Sequence, residues 1–101
     1  MTNIFHLTTK SDWERARSQG THTAPSLNEE GFIHCCLEEQ MPEILRLYYR
    51  GQSEVIALKI DTSRLESMLV YEWSPALAQT FPHVYGPINI DSVMEVKAMA
   101  S

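Results

Sequence analysis

Three of the four histidines stand in apolar or conformationally restricted surroundings, where an imidazole can act as a general acid or base. His6 interrupts a short apolar segment, His34 lies two residues after Phe32, and His83 directly follows Pro82. An imidazole changes its charge near neutral pH, so histidines gathered in a cleft are suited to moving protons at a bound ligand. We therefore predict that His6, His34 and His83 are catalytic residues of one site.

Glu72 is the carboxylate that best matches these histidines, because it lies in a predicted strand between Tyr71 and Trp73. Apolar neighbours disfavour the charged form of a carboxylate, so the sequence predicts a raised pKa and a catalytic role as acid or base. An edge-strand charge that discourages aggregation explains the same pattern equally well.

Three further residues are predicted to contact a ligand. Phe32 shares a predicted strand face with His34 and would line a pocket. Tyr85 belongs to residues 81–87, which two prolines restrict and which we predict to be a rigid functional loop. Ser26 lies in a polar segment, where its hydroxyl could bind a ligand or cap a turn.

Several of these side chains also have a purely structural interpretation. A strand histidine such as His6 can face solvent, and His34 can be a hydrogen-bonded structural residue. His22 has only threonine neighbours and is predicted to lie on the surface. Glu29 and Glu30 are predicted to be a solvated pair before the next strand.

Familiar catalytic motifs are absent from the sequence, including the Walker A loop, G-x-G-x-x-G, H-E-x-x-H and G-x-S-x-G. Cys36 shares a predicted strand face with His34, but the pleat alone aligns residues two apart, so this spacing is weak support for a Cys–His nucleophile. Three histidines could hold a catalytic zinc ion, yet no closely spaced pair supports this, and we expect no metal.

The composition narrows the class of protein. A chain of 101 residues, 44% of them hydrophobic, is expected to form one domain over residues 1–101. A formal net charge of −5 with scattered basic residues argues against an extended nucleic-acid surface. No secretory signal or membrane-spanning run is visible, and the only cysteines are the neighbours Cys35 and Cys36. We therefore expect a cytoplasmic protein whose partner is a small ligand.

Hydrophobic periodicity predicts the elements that must position these residues. Strands are expected at residues 3–7, 31–36, 55–60, 69–73 and 92–99. One helix is predicted from a capping box at Ser11 to a stop near Gly20, and a second over residues 37–49. Residues 21–28 are predicted to be a polar loop. Strands throughout with two main helices, and no regular β-α-β alternation, predict an α+β fold with a mixed sheet.

Several segments taken together resemble a known family. They are residues 4–7, Trp13, and residues 26–27, 30–35, 71–72 and 81–87. Gly-Phe-Ile-His and Phe-Pro-His-Val-Tyr-Gly-Pro are the most specific of these stretches. Over nearly its whole length the chain resembles the family called domain of unknown function 952, which has no settled activity.

The resemblance implies a remote relationship to the ADP-ribosyltransferase fold, which includes RNA 2′-phosphotransferases. That relationship implies small split β-sheets around a cleft that holds NAD. On this analogy His6 and the nearby Thr8 would hold the ribose of NAD, and Glu72 would stabilise a developing oxocarbenium ion. His34 and His83 would lie near the phosphates or the nucleophile.

Three functions are therefore open at this point. The first is an enzyme that acts on NAD or on an ADP-ribosylated or phosphorylated nucleotide. The second is a nucleotide-binding module without catalysis. The third is a metal-assisted hydrolase that uses the histidines.

Overall fold

The computed structural model describes residues 3–99, which form small antiparallel β-sheets and three α-helices. The strands are β1 (Asn3–Thr9), β2 (Thr21–His22), β3 (Ile33–His34), β4 (Val55–Asp61), β5 (Met68–Ser74), β6 (Gln79–Tyr85), β7 (Ile88–Asn89) and β8 (Val93–Ala98). The α-helices are α1 (Lys10–Gln19), α2 (Pro25–Glu30) and α3 (Met41–Tyr48), and 3₁₀ turns occupy Glu38–Gln40 and Ile90–Ser92.

The strands are divided among three sheets. The first has the order β1-β4-β8, the second pairs β2 with β7, and the third has the order β3-β6-β5. Every strand pairing within residues 3–99 is antiparallel. The α+β class is therefore confirmed, but the mixed sheet was wrong, because an alternating pattern shows which residues share a face and carries no information on strand direction.

The first sheet is covered on both faces, so alternate residues of β1 enter two different cores. Ile4 packs with Trp13 of α1 in one core, whereas Phe5 packs with Met41 of α3 in the other. The central strand β4 supplies buried side chains to both cores. Neither face of β1 is open to solvent, so the interpretation of His6 as a solvent-facing strand histidine was wrong.

Helix α1 begins one residue before the predicted cap. The hydroxyl of Thr9 accepts a hydrogen bond from the backbone N–H of Asp12 at 3.3 Å, which leaves Ser11 inside the first turn. Gly20 ends the helix with a φ of 91°, a left-handed conformation that glycine adopts without a steric penalty. The predicted stop at this glycine is therefore confirmed.

Residues 21–28 do not form the predicted loop. They contain β2 and most of α2, and Pro25 stands in the first turn of α2, where a missing N–H costs little. Strands of two residues and helices of six are too short to show a hydrophobic period, which explains why the sequence pattern missed them.

The segment predicted as a rigid loop at residues 81–87 lies mainly in β6, the central strand of the third sheet. The carbonyl of Pro82 accepts a hydrogen bond from the N–H of Cys35 at 3.1 Å, so this carbonyl faces the side of β3. The nitrogen of a strand residue points to the same side as its carbonyl. Pro82 is therefore tolerated, because its missing N–H faces a position beyond the end of β3 at His34. His83 and Tyr85 therefore lie on a strand.

The predicted strand at residues 31–36 is divided between two sheets. Only Ile33–His34 forms β3, and the chain then crosses to β1, where Cys36 and Phe5 exchange two backbone hydrogen bonds of 2.8 Å. The following helix begins with a 3₁₀ turn, so α3 is shorter than residues 37–49. Within residues 3–99, no helix has both the length and the apolar character that a membrane crossing requires.

Candidate functional site

A cleft of about 630 Å³ opens between the first and third sheets. Its apolar wall includes Phe5 and Leu7 of β1 and Phe81 of β6, and its polar end includes His34 and His83. Apolar clefts with a few convergent polar groups are the usual form of small-molecule sites. The cleft is therefore the candidate functional site.

The hairpin formed by β5 and β6 brings Glu72, His83 and Tyr85 together on one face. Nδ1 of His83 lies 2.7 Å from Oε1 of Glu72, and the hydroxyl of Tyr85 donates to the same oxygen at 2.6 Å. The bonds from Tyr85 and His83 lower the pKa of Glu72, so this carboxyl is ionised at neutral pH. The raised pKa predicted for Glu72 was wrong, because its hydrogen bonds outweigh its partial desolvation and because Tyr71 and Trp73 lie on the opposite face of β5.

A second carboxylate holds His34. Nε2 of His34 lies 2.9 Å from Oε2 of Glu30, and both side chains are about half exposed. Gly31 has a φ of 91°, and this turn directly after α2 lets residues four apart meet across the end of a helix. The sequence interpretation of Glu30 as a solvated residue missed this contact; its position four residues before His34 was the only indication available.

The two imidazoles are neighbours across the β3–β6 pair, where His34 is directly opposite His83. Their ring centroids are 5.4 Å apart, and the ring planes are almost perpendicular. Phe32 stacks on His83 with a centroid distance of 4.0 Å and meets the ring of His34 edge-on at 4.8 Å. The structure therefore unites His34, Glu72, His83, Phe32 and Tyr85, which were all predicted site residues.

His6 is placed behind this cluster and does not line the cleft. Its Nδ1–H donates to the main-chain carbonyl of His34 at 2.7 Å, and only 5% of the residue is exposed. Burial, with a contribution from His22, lowers the pKa of His6 to about 4, so the ring is neutral at physiological pH. His6 thus contacts the backbone of a site residue, and its side chain does not join the site.

His22 was predicted to lie on the surface, but it is 2% exposed. It lies in β2 beneath α1, and its ring centroid is 4.9 Å from that of His6. Burial lowers its pKa, and its Nε2 has no hydrogen-bond partner among the described residues. The prediction was wrong because helix α1 buries His22, and the threonines next to His22 in the sequence give no indication of this contact.

Thr8 and Ser26 lie outside the lining of the cleft, as do Glu72 and Tyr85, which reach it only through their contacts with His83 and Phe32. Thr8 is buried on β1, on the face that also carries His6. Ser26 is half-buried in α2, where its main-chain carbonyl accepts from Gly31 near the end of the helix.

The cysteines do not form a nucleophilic pair with His34. Both thiols are buried, and burial raises the pKa of Cys36 to about 12 and that of Cys35 further. A thiolate is the reactive form of cysteine, so neither residue is activated in this environment. Among residues 3–99, no group of three or more His, Cys, Asp or Glu is arranged to hold a metal ion.

Comparison with known proteins places the chain in a family without assigning an activity. The sequence matches the family described as "Protein of unknown function (DUF952)" over residues 7–96. No protein with a curated description is detectably similar to this chain.

Similar solved structures are of protein CC0527 from Caulobacter crescentus. Its crystal structure has a TM-score of 0.88 and 27% identity, covering 98% of this chain and 87% of that chain. A crystal structure of a double methionine variant gives 0.88 and 26% with the same coverage. A solution NMR structure gives 0.79 and 29%, covering 95% of this chain and 83% of that chain. The chain therefore belongs to the DUF952 family.

Proposed function

We propose that the cleft is the active site of a transferase or hydrolase that uses His83 and His34 as an acid–base pair on a small nucleotide-type ligand. NAD and ADP-ribose are the first candidates. The observation that carries the proposal is the arrangement of two imidazoles, 5.4 Å apart, each bonded to its own carboxylate beside an aromatic cleft. Such an arrangement supplies a base and an acid to one bound molecule.

His83 is suited to the role of general base. Its Nδ1–H donates to the ionised Glu72, which fixes the tautomer and leaves Nε2 to accept a proton. Phe32 stacks on the ring and restricts its rotation. His34 is more exposed and is bonded to Glu30, so it can exchange a proton with a leaving group near the mouth of the cleft.

Glu72 also has the charge that a glycosyl-transfer reaction requires. Its hydrogen bonds to Tyr85 and His83 keep it ionised, and an ionised carboxylate stabilises an oxocarbenium-like transition state. This is the role that the resemblance to ADP-ribosyltransferases implies for Glu72. The same resemblance assigns a ribose contact to His6, but its burial supports a role in holding the His34 backbone.

The lining of the cleft suits part of an NAD molecule. Its aromatic side chains offer surfaces for a flat ring, and its polar end offers acceptors for ribose hydroxyls. The described residues that line it include no Lys or Arg to neutralise a pyrophosphate. We therefore propose that the ring and the adjoining ribose are the parts that bind in the cleft.

The proposal is tested by incubating the purified protein with NAD and measuring the release of nicotinamide by chromatography. We expect slow turnover that falls roughly 100- to 10,000-fold in His83→Ala, which is the typical contribution of a general base. Glu72→Gln should also lower the rate, whereas Glu95→Gln, a carboxylate change on the exposed strand β8, should not. Turnover that is unaffected by His83→Ala would exclude this role for His83.

A nucleotide-binding module without catalysis is the second candidate. Its support is the stacking of Phe32 on His83, whose side chain is only 11% exposed, because this cover restricts the approach of a reacting atom. In that case NAD raises the melting temperature but forms no product. Ligand at ten times its dissociation constant stabilises by about 1.4 kcal/mol, a shift of roughly 6–10 °C for a chain of this size.

A further inference from the structure

We infer that the ligand of this cleft carries a positive charge on a flat organic group, as an N-alkylated pyridinium ring does. The inference rests on the proposed function in one respect, since it takes the same cleft as the ligand site. The inference concerns the class of ligand that the walls of the cleft favour, and it holds whether or not a reaction follows binding.

The charges at the polar end of the cleft are negative. Glu30 lines the cleft, and Glu72 is bonded to His83, which also lines it. The side chains of Glu30 and Glu72 are 49% and 38% exposed. Glu30 lines the cleft and can contact a bound molecule, whereas Glu72 lies behind His83 and acts through its charge. This end holds two carboxylates, and no Lys or Arg is among the described lining residues. Such a field attracts cations and repels anions.

Large aromatic side chains stand at the mouth of the same cleft. Tyr48 of α3 and Trp73 of β5 line it although 61% and 62% of each residue is exposed. Neither ring contacts another aromatic ring within residues 3–99, so their faces are available to a ligand. The face of an aromatic ring is electronegative and attracts an organic cation, most strongly in tryptophan.

These two features together favour a cation over the other classes of small ligand. A neutral aromatic molecule would use the rings but would gain nothing from Glu30 and Glu72. An anion would gain nothing from the electronegative aromatic faces and would be repelled by both carboxylates. A flat cation is attracted by the aromatic faces and by the carboxylates at once.

The test compares two isosteric ligands, one charged and one neutral. The 1-methylnicotinamide cation and neutral 3-methylbenzamide share the same shape, methyl group and carboxamide, and differ in one ring atom, a positively charged nitrogen in place of carbon. Dissociation constants are measured by NMR titration of the full chain, following the indole N–H of Trp73 with the buried Trp13 as an internal reference. We expect the cation to bind roughly 5- to 30-fold more tightly, which is the range of a partly desolvated cation–π contact.

Matched variants locate the preference in the cleft. Glu30→Gln should weaken binding of the cation roughly fivefold and leave the neutral ligand nearly unchanged. Trp73→Leu, titrated on backbone amide signals because the indole is absent, should weaken binding of the cation roughly fivefold and that of the neutral ligand less. Their controls are Glu29→Gln and Tyr71→Leu, which make the same changes at exposed positions outside the lining of the cleft. The controls should change the affinity by roughly twofold or less, since exposed charges act weakly at a distance.

The outcomes separate this inference from the proposed function. Equal affinity for the two ligands, or equal losses in the variants and their controls, would overturn the inference. Selective cation binding without turnover of NAD supports the inference and leaves the protein as a binding module. Turnover of NAD with no preference for the cation supports the proposed enzyme and overturns the inference.

Discussion

The molecule contains two pairs of neighbouring histidines that differ in almost every physical respect. His34 and His83 each bond a carboxylate and line the cleft, whereas His6 of β1 and His22 of β2 are buried against each other. In the first pair the imidazoles can exchange protons with a ligand. In the second pair burial lowers the pKa of both rings. The environment of a histidine, and not its residue type, therefore decides between chemistry and structure.

The largest expected difference between the two pairs is in stability, after one histidine of each pair is truncated. We expect His6→Ala to lower the free energy of unfolding by about 2–4 kcal/mol, because it removes a buried ring and leaves the carbonyl of His34 without its donor. His34→Ala should cost about 1 kcal/mol or less, because its side chain is 56% exposed. Urea unfolding measures both. Similar losses in the two variants would contradict the division between a structural and a functional pair.

A second way to separate the pairs is the dependence of stability on pH. The pKa of His6 falls from 6.5 to about 4 on folding. As the pH is lowered, His6 is therefore protonated in the unfolded chain before it is protonated in the folded chain. The contribution of His6 is complete above pH 6.5, is lost as the pH falls from about 6.5 to about 4, and does not change below that range. It amounts to about 3 kcal/mol, and His22 acts in the same direction.

This dependence is isolated by a variant that keeps the hydrogen bond without the titration. His6→Asn retains a side-chain N–H for the carbonyl of His34 and should remove the part of the slope between pH 6.5 and pH 4 that His6 causes, measured by urea or thermal unfolding. His34→Asn is the control at the cleft and should keep the full slope. An undiminished slope in His6→Asn would show that other groups, such as His22, cause it.

The smallest expected effect concerns Glu72, the carboxylate bonded to His83. Tyr85→Phe removes the hydroxyl whose bond is the main cause of the lowered pKa of Glu72, so this pKa should rise toward its usual range. Carboxyl carbon chemical shifts followed by NMR through a pH titration measure the change. Tyr71→Phe, which removes a hydroxyl not bonded to Glu72, should leave the pKa unchanged. No rise in Tyr85→Phe would mean that His83 alone holds the carboxylate.

The sequence predicted best where the pattern is local. Strand β4 and the glycine stop of α1 were found because alternation and capping depend on residues close together in the chain. The prolines of residues 81–87 indicated a loop, although a ladder position facing a short neighbouring strand accommodates Pro82 in β6. That prediction failed because the side of the strand that lacks a partner is decided by the tertiary fold.

The residues of the candidate site could likewise be predicted only in part from the sequence. Glu72, His83 and Phe32 were identified as unusual residues, and the structure places them in contact. The partner of His34 was missed because Glu30 reaches it only through the turn at Gly31. The burial of His22 depends on elements distant in the chain, so a sequence window around it contains no indication of its surroundings.

The crossing of the chain from the third sheet to the first has a mechanical consequence. Cys35 packs in one core and Cys36 in the other, and two hydrogen bonds between Cys36 and Phe5 join the sheets at that step. Cys35 and Cys36 also line the cleft, so this step ties its two walls together at that point. We therefore expect any widening of the cleft on ligand binding to be smallest beside Cys36.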